Sequence, residues 1–202
     1  MHLSSVGVVH TDAIFNEVKD AGIENVVHIE YPHFSTGYDI DKARARKYYG
    51  LSENAFVLGC IGGTRYDKGL DILLKALQGV TGDFELLVAG AEDAIKREKI
   101  EELARPYGDR VKLHLSFLTD EEFEMAIQAV DAIVLPYRKT FNGASGPLGE
   151  GVAKGKMIIA ANHGSLGDIV EKNHLGYTFE SENIEALKKC IKYGNTTDKL
   201  YI

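Results

Sequence analysis

The sequence predicts an α/β fold: a Rossmann-like, doubly wound parallel sheet with helices on both faces. From Phe56 onward, short apolar or β-branched runs alternate with amphipathic segments of helical period, and this alternation is typical of strand–helix–strand units. The apolar runs are nearly continuous, as expected of parallel strands that helices cover on both sides. With 202 residues and 45% hydrophobic content, the chain is long enough for one such domain and a small additional unit.

Five runs are predicted strands: FVLGCI (56–61), FELLVAG (84–90), VKLHLS (111–116), AIVLPY (132–137) and KMIIAA (156–161). Three other segments have apolar residues at helical spacing, namely Leu70, Leu73, Leu74 and Leu77, then Phe123, Ile127 and Val130, then Ile184, Leu187 and Ile191. Thr119 and Glu122 form a capping-box pair before the second of these helices. Asn183 is a suitable N-cap for the third.

The first 50 residues fit this pattern less well. They predict a separate strand, helix and strand, at residues 5–10, 15–22 and 25–32. A connecting segment follows, which carries no core pattern until Tyr48 and is expected to enter the main domain near Leu51. The sequence therefore predicts a hinge or connector unit over residues 1–50 and a main domain over residues 51–202.

Composition narrows the class of function. The net charge of −7 argues against nonspecific nucleic-acid binding. No stretch is long and apolar enough to cross a bilayer, and the first residues lack the pattern of a signal peptide. The two cysteines, Cys60 and Cys190, are far apart in the chain without metal-ligand spacing, which predicts reduced thiols and a cytoplasmic protein.

The loop after the first main-domain strand predicts an anion site. In open α/β sheets, ligands bind beyond the carboxyl ends of the strands. Residues 62–69 combine Gly62 and Gly63 with Arg65 and Lys68 just before a helix, so backbone N–H groups, a helix dipole and two cations favour a phosphate. The alternative is a strand-ending glycine pair with solvated charges. The turn matches neither a P-loop nor a dinucleotide fingerprint.

A second polar loop, residues 138–150, follows the strand at 132–137. A helix is expected to begin near Pro147, because proline suits the first helical turn. Ser145 and Gly146 then lie just before that helix and expose backbone donors, while Glu150 falls near its first turn. Glu150 either only interacts favourably with the helix dipole or accepts hydrogen bonds from the sugar hydroxyls of a ligand.

Taken together and in this order, these segments resemble the C-terminal, donor-binding half of the GT-B glycosyltransferases, particularly family 4. The resemblance runs from about Phe56 to Ile191, through LGCIGGTRYDKGLDILLKAL, FELLVAG, VKLHLSFLTDEEFEMAIQAVDAIVLPY and SGPLGEGVAKGKMIIAANHGSLGDIV. It implies transfer of a sugar, with retention of configuration, from a nucleotide diphosphate donor such as a UDP- or GDP-sugar. No metal ion and no other cofactor is expected. It also implies a role in polysaccharide or glycan biosynthesis.

The resemblance also assigns roles to single residues. Arg65 and Lys68 match the basic pair that stabilises the leaving diphosphate, and Glu150 matches a glutamate that binds the ribose. Ser145, Gly146 and Leu148 match the loop and helix start whose amides meet the phosphates. Leu118 and Thr119 match the segment beside the base.

Three features depart from the family pattern. Asn142 stands where the first glutamate of the E-x7-E motif is expected; it still offers a hydrogen bond to the donor sugar but carries no charge. Arg65 is three residues before Lys68, closer than in the commonest pattern. The third departure is length, because a GT-B enzyme has two domains with the reaction in the cleft between them.

The missing N-terminal domain of such an enzyme would bind a glycan or lipid-linked acceptor, near the membrane surface, and residues 1–50 would be its end or the hinge. The chain alone is therefore expected to bind donor but not to transfer sugar. Two alternatives stay open: a noncatalytic scaffold or partner subunit with a decayed site, which Asn142 favours, and a GT-B-like sugar-nucleotide epimerase.

Overall fold

A computed structural model describes residues 6–29 and 38–196. The strands are β1 (Gly7–Val9), β2 (Val26–His28), β3 (Phe56–Ile61), β4 (Phe84–Ala89), β5 (Val111–His114), β6 (Ala132–Leu135), β7 (Met157–Ala161) and β8 (Gly176–Phe179). The helices are α1 (Asp12–Asp20), α2 (Lys42–Tyr49), α3 (Leu70–Ala76), α4 (Arg97–Ala104), α5 (Asp120–Ala129), α6 (Gly146–Ala153), α7 (Gly164–Lys172) and α8 (Ile184–Thr196), with 3-10 helices at Tyr66–Lys68 and Arg105–Arg110.

The main sheet has six parallel strands in the order β5-β4-β3-β6-β7-β8. This confirms the predicted Rossmann-like, doubly wound fold. The chain builds outward from β3 to β4 and β5 and then crosses back to β6, so the strand order reverses between β3 and β6. A crevice forms at such a switch point, beyond the carboxyl ends of the two strands. The loops after β3 and β6 flank it.

The core has one layer on each face of the sheet. Successive residues of a strand point to opposite faces, and in β3 Leu58 belongs to one buried cluster while Val57 belongs to the other. The first cluster includes side chains from α3, α4 and α8. The second includes side chains from α2, α5, α6 and α7. Both faces are therefore covered, as the continuous apolar runs predict.

The five predicted strands are all present, and four of them end or begin one or two residues inside the predicted bounds. Helix α6 begins at Gly146, next to the expected start at Pro147. Besides α2, one strand and two α-helices were not predicted: β8, α4 and α7. Strand β8 is a short GYTF segment with three half-buried positions, and α7 contains two glycines.

Helix α2 packs on the main domain ahead of the expected entry near Leu51. Ile40, Ala45 and Tyr49 belong to a main-domain core cluster. The Asp41 carboxylate accepts the Arg44 N–H as N-cap, and Gly50 ends the helix in the left-handed conformation. The helix is polar on average because four of its eight residues are lysine or arginine, so a search for apolar periodicity does not detect it.

The first residues form the expected strand–helix–strand unit, with β1 and β2 as a two-stranded parallel sheet. Residues 5 and 30–32 of its predicted strands, residues 33–37 of the connector and residues 197–202 of the predicted main domain lie outside the described residues. One face of the small sheet carries an exposed apolar row: Val6, Val8, Val27 and Ile29. Within the described part of the chain, no helix is long and apolar enough to cross a membrane.

Candidate functional site

Glycines shape the turn after β3, and the hydrogen bonds of Thr64 hold it in place. A Cβ at Gly69, whose φ is +66°, would overlap the carbonyl oxygen of Pro136 after β6, so the two loops approach closely only because position 69 is glycine. Thr64 is buried, and its hydroxyl donates to Ile95 O at 2.8 Å while accepting the Asp93 N–H at 2.8 Å. These contacts fix the turn at the switch point.

Lys68 lies inside this crevice. A Cβ added at Gly62 would lie 2.6 Å from Lys68 Nζ and 4.0 Å from a ring carbon of Pro147. The ammonium also lies 5.9 Å from the centre of the Tyr137 ring. Burial is the main cause that lowers the pKa of Lys68, and the nearby Arg65 lowers it further. The structure therefore brings a partly desolvated cation to the space between the β3 turn and the start of α6.

The start of α6 is tied to the same place. Ser145 is its N-cap: the hydroxyl accepts the Leu148 N–H at 3.3 Å and lies 3.1 Å from the Tyr137 hydroxyl. Pro147 occupies the first turn, as expected. Ser145 and Gly146 are thus close to the Lys68 side of the crevice, while the Leu148 amide already has an internal partner.

Arg65 lies at the rim and is paired with Asp67. Its side chain is 52% exposed, and Nε donates to Asp67 Oδ1 at 3.0 Å, with a second contact from Nη2 to Oδ2. The hydrogen bond to Asp67 is the main cause that raises the pKa of Arg65. The guanidinium carbon lies 5.9 Å from the centre of the Phe141 ring. The Asp67 carboxylate therefore occupies one edge of the guanidinium, and an anion that binds Arg65 would use its remaining N–H groups.

Glu150 lines a larger cleft of about 530 Å³ between α6, α7 and the small N-terminal unit. Ser145, Gly146 and Leu148 also line it, so the start of α6 separates this cleft from the Lys68 crevice. The opposite wall includes Asp12 and His28, whose Oδ1 and Nδ1 atoms are 3.0 Å apart. A cleft with both polar and apolar walls, next to a cationic crevice, can accept a ligand with an anionic part and a part that carries hydroxyls.

The other predicted residues are less tightly gathered. Thr119 caps α5: its hydroxyl accepts the Glu122 N–H at 3.2 Å, and its own N–H donates to Glu122 Oε2 at 2.8 Å. Leu118 packs against the core cluster that contains Tyr137. Asn142 is exposed, and it is the neighbouring Gly143 that lines the cleft.

Sequence reasoning missed Arg138, which follows Tyr137 in the loop after β6. Arginine in a polar loop is usually exposed, but Arg138 is 6% exposed and contacts Tyr66, Asp67 and Asp71. Its burial depends on partners from a distant segment, and no local signal reveals it. Among the described residues, no group of three or more His, Cys, Asp or Glu side chains is arranged to hold a metal ion.

Comparisons with known proteins agree with this architecture. A family model described as "Glycosyl transferases group 1" matches residues 55–193. A glycogen synthase of Xanthomonas axonopodis pv. citri (strain 306) is 28% identical over 174 residues, which are 83% of this chain and 36% of that protein. The chain thus spans about a third of the length of the curated relatives that it matches.

Solved structures share the fold. A sucrose-phosphate synthase from Thermosynechococcus elongatus aligns with a TM-score of 0.77 and 20% identity, over 92% of this chain and 48% of that one. Anabaena Alr3699/HepE, solved in complex with UDP and glucose, aligns with a TM-score of 0.75 and 22% identity, over 94% and 53%. The chain therefore belongs to the glycosyl transferases group 1 family, and its main domain has the fold of a GT-B C-terminal domain.

Proposed function

We propose that the crevice between β3 and β6 binds the diphosphate of a nucleotide-sugar donor, and that the chain is the donor-binding domain of a retaining hexosyltransferase. One observation carries this proposal: the Lys68 ammonium lies between the Gly62 turn and the start of α6. A cation facing a helix N-terminus is a suitable environment for two phosphate groups.

The chemistry that these residues offer is stabilisation of a leaving group. When the bond between sugar and diphosphate breaks, negative charge builds on the diphosphate. A cation that is already in place and partly shielded from water stabilises that charge more than a solvated one does. Lys68 meets this description, whereas Arg65 is more exposed and its charge is already paired with Asp67. The N–H dipoles at the start of α6, including those of Gly146 and Leu148, add to this electrostatic stabilisation of the diphosphate.

The neighbouring cleft suits the rest of the donor. Glu150 on its wall is proposed to accept hydrogen bonds from the ribose, and the exposed Asn142 to reach the donor sugar. Leu118 and Thr119 are proposed to border the base. Alr3699/HepE, a structural neighbour, was solved with UDP and glucose, and the glycogen synthase relatives act in polysaccharide synthesis by their name. We extend a role in glycan or polysaccharide synthesis, without a bound metal, to this chain.

Transfer is expected to need more than this chain. Parallel sheets are normally covered on both faces, yet β1 and β2 present Val6, Val8, Val27 and Ile29 to solvent. This supports a further domain that completes the small sheet and binds a glycan or lipid-linked acceptor. The two free cysteines, Cys60 and Cys190, support a reducing, cytoplasmic setting.

Calorimetric titration of the 202-residue chain with ADP, GDP and UDP tests the proposal. At least one diphosphate should bind, and Lys68→Ala should weaken that binding about tenfold or more, because a hydrogen bond to a charged group is lost. Lys99→Ala is the matched control, since Lys99 is 53% exposed and pairs with Glu102. Absence of binding by all three diphosphates at millimolar concentration would reject the proposal.

A noncatalytic scaffold is the second candidate. It is favoured by the Arg65–Asp67 pair and by Asn142 in place of a glutamate. A scaffold with a decayed site should show no diphosphate binding, and the same titration therefore separates the two candidates.

A further inference from the structure

Arg138 is a buried cation that diphosphate binding leaves unexplained. It is 6% exposed, and a guanidinium that is withdrawn from water is costly unless its donors are paired. The partners of Arg138 that lie outside its own loop therefore indicate what its burial stabilises. Two of them, Tyr66 and Asp67, belong to the turn that carries Lys68, and a third, Asp71, lies just after it in α3.

The contacts of Arg138 form a clamp on that turn. Nη2 donates to both carboxylate oxygens of Asp71 at 2.9 Å, at the start of α3. Nη1 donates to the carbonyl of Tyr66, and the guanidinium carbon lies 3.9 Å from the centre of the Tyr66 ring. The backbone N–H of Arg138 donates to Asp67 O at 2.8 Å. Nε also lies 3.7 Å from Glu182 Oε1.

Apart from the Thr64 hydrogen bonds before it and the close approach of Gly69 to Pro136 after it, the clamped segment depends on its own single turn. Tyr66–Lys68 is a single turn of 3-10 helix with no side-chain cap, and short 3-10 turns have poor hydrogen-bond geometry. Its internal bonds, from Lys68 N to Arg65 O and from Gly69 N to Tyr66 O, measure 3.1 and 3.2 Å. The position of Lys68 relative to the loop after β6 therefore depends on contacts from outside the turn, and Arg138 supplies them.

We propose that Arg138 is a positioning residue for the donor site: it holds the Tyr66–Lys68 turn against the loop after β6 so that the Lys68 ammonium stays in the crevice. This inference rests on the proposed function. Arg138 acts through Lys68 and needs no contact with the ligand. The guanidinium bonds the Asp71 carboxylate through Nη2 and the Tyr66 carbonyl through Nη1 while it lies over the Tyr66 ring, and a single lysine ammonium cannot make these three contacts together.

A second buried arginine provides the comparison. Arg46 is 3% exposed and is paired as completely as Arg138, but its partners are Ala129 O, at 3.0 Å, Asp131 Oδ2, at 2.6 Å, and the carbonyls of Ser52 and Glu53. None of these lies in the turn or in the loop after β6. Changing either arginine should lower the stability of the fold. Only the change at Arg138 should also weaken diphosphate binding.

The experiment measures the dissociation constant of whichever of ADP, GDP and UDP binds the unmodified chain most tightly. The variants are Arg138→Lys, Arg46→Lys, Lys68→Ala and the double variant Arg138→Lys/Lys68→Ala, each at a temperature well below its own unfolding midpoint. Arg138→Lys should weaken binding about tenfold, since small misplacements of a binding group cost about that much or more. Arg46→Lys should stay within about twofold.

The double variant distinguishes positioning from general damage. If Arg138 acts through Lys68, the double variant binds no more weakly than Lys68→Ala alone, because the effects are coupled. Normal binding by Arg138→Lys, or a double variant that loses the sum of both effects, overturns the inference. If Arg138→Lys does not fold, Asp71→Asn, which weakens the same clamp, is judged by the same criteria.

The outcome also separates this inference from the proposed function. Diphosphate binding that is lost in Lys68→Ala but intact in Arg138→Lys leaves the proposed function standing and rejects the role of Arg138. No binding by the unmodified chain rejects both.

Discussion

Lys68 is a cation that the fold keeps partly out of water, and this makes its charge sensitive to pH. Burial lowers the pKa of Lys68 from its usual value of 10.5. In the ligand-free fold, the penalty for holding the charged form is fully present at low pH and is relieved as pH rises through the lowered pKa. Diphosphate binding, by contrast, should weaken as pH rises through this pKa, because the ligand pairs with the charged ammonium.

We therefore predict that ADP affinity falls as pH rises, beginning at a lower pH than an ordinary lysine would require. A series of calorimetric titrations from about pH 7.5 to about pH 10 measures this, since the reference pKa of lysine is about 10.4. Phosphate groups are fully ionised over most of this range and do not mask the effect.

Lys68→Arg is the control for this prediction, because a guanidinium stays protonated throughout the range. Its ADP affinity should vary less with pH than that of the unmodified chain, even if it is weaker overall. Equal pH dependence in the two proteins would show that another group controls binding.

At the scale of elements, an ionic group centred on Asp131 adds to the apolar packing that attaches α2 to the sheet. Arg46 reaches from α2 to Asp131, which lies just before β6, with Nη2 and Oδ2 2.6 Å apart. The same Asp131 oxygen accepts the Val57 N–H at 2.7 Å, at the start of β3. Asp131 thus joins a helix and two strands at the amino edge of the sheet, far in the fold from the carboxyl-edge crevice.

We predict that Asp131→Asn lowers the free energy of unfolding by about 3 kcal/mol, because it leaves the buried Arg46 without its counter-charge. Denaturant unfolding measures the loss. Glu102→Gln, which breaks the exposed Lys99–Glu102 pair, should change the free energy by less than about 1 kcal/mol. Comparable losses in both variants would mean that the Arg46 pair has no special role in attaching α2.

The elements show where sequence reasoning succeeds and where it fails. Apolar runs located β3, β4, β5, β6 and β7, because parallel strands covered on both faces need continuous apolar sequence. Helix α2 was not predicted because four of its eight residues are basic, and the burial of one of them, Arg46, depends on Asp131, far away in sequence.

The site follows the same rule. The edge rule for open sheets predicted that Lys68 and Ser145 would approach each other, and Tyr137 contacts both of them. The pairing of Arg65 with Asp67 and the burial of Arg138 depend on side-chain geometry that no local pattern encodes. Functional roles for all of these residues stay predictions.

For the whole molecule, the strand order concentrates possible ligand contacts at one edge of the sheet. The turn after β3 and the loop after β6 meet there, linked by the hydrogen bond from Arg138 N to Asp67 O. The amino edge instead holds the Arg46–Asp131 group and the Asp41-capped start of α2. A ligand at the switch point should therefore reduce local fluctuations at the carboxyl edge of the sheet and not at the amino edge.

We predict that a saturating nucleoside diphosphate slows amide hydrogen exchange in residues 62–69 and 136–149 and leaves residues 41–55 unchanged at short labelling times. Short times matter because they report local fluctuations, whereas ligand binding also slows the global unfolding that dominates later exchange. Lys68→Ala at the same ligand concentration should lose this protection. Protection confined to residues 41–55 would mean that the ligand binds at the amino edge, where the cations of α2 would then have to be the binding groups.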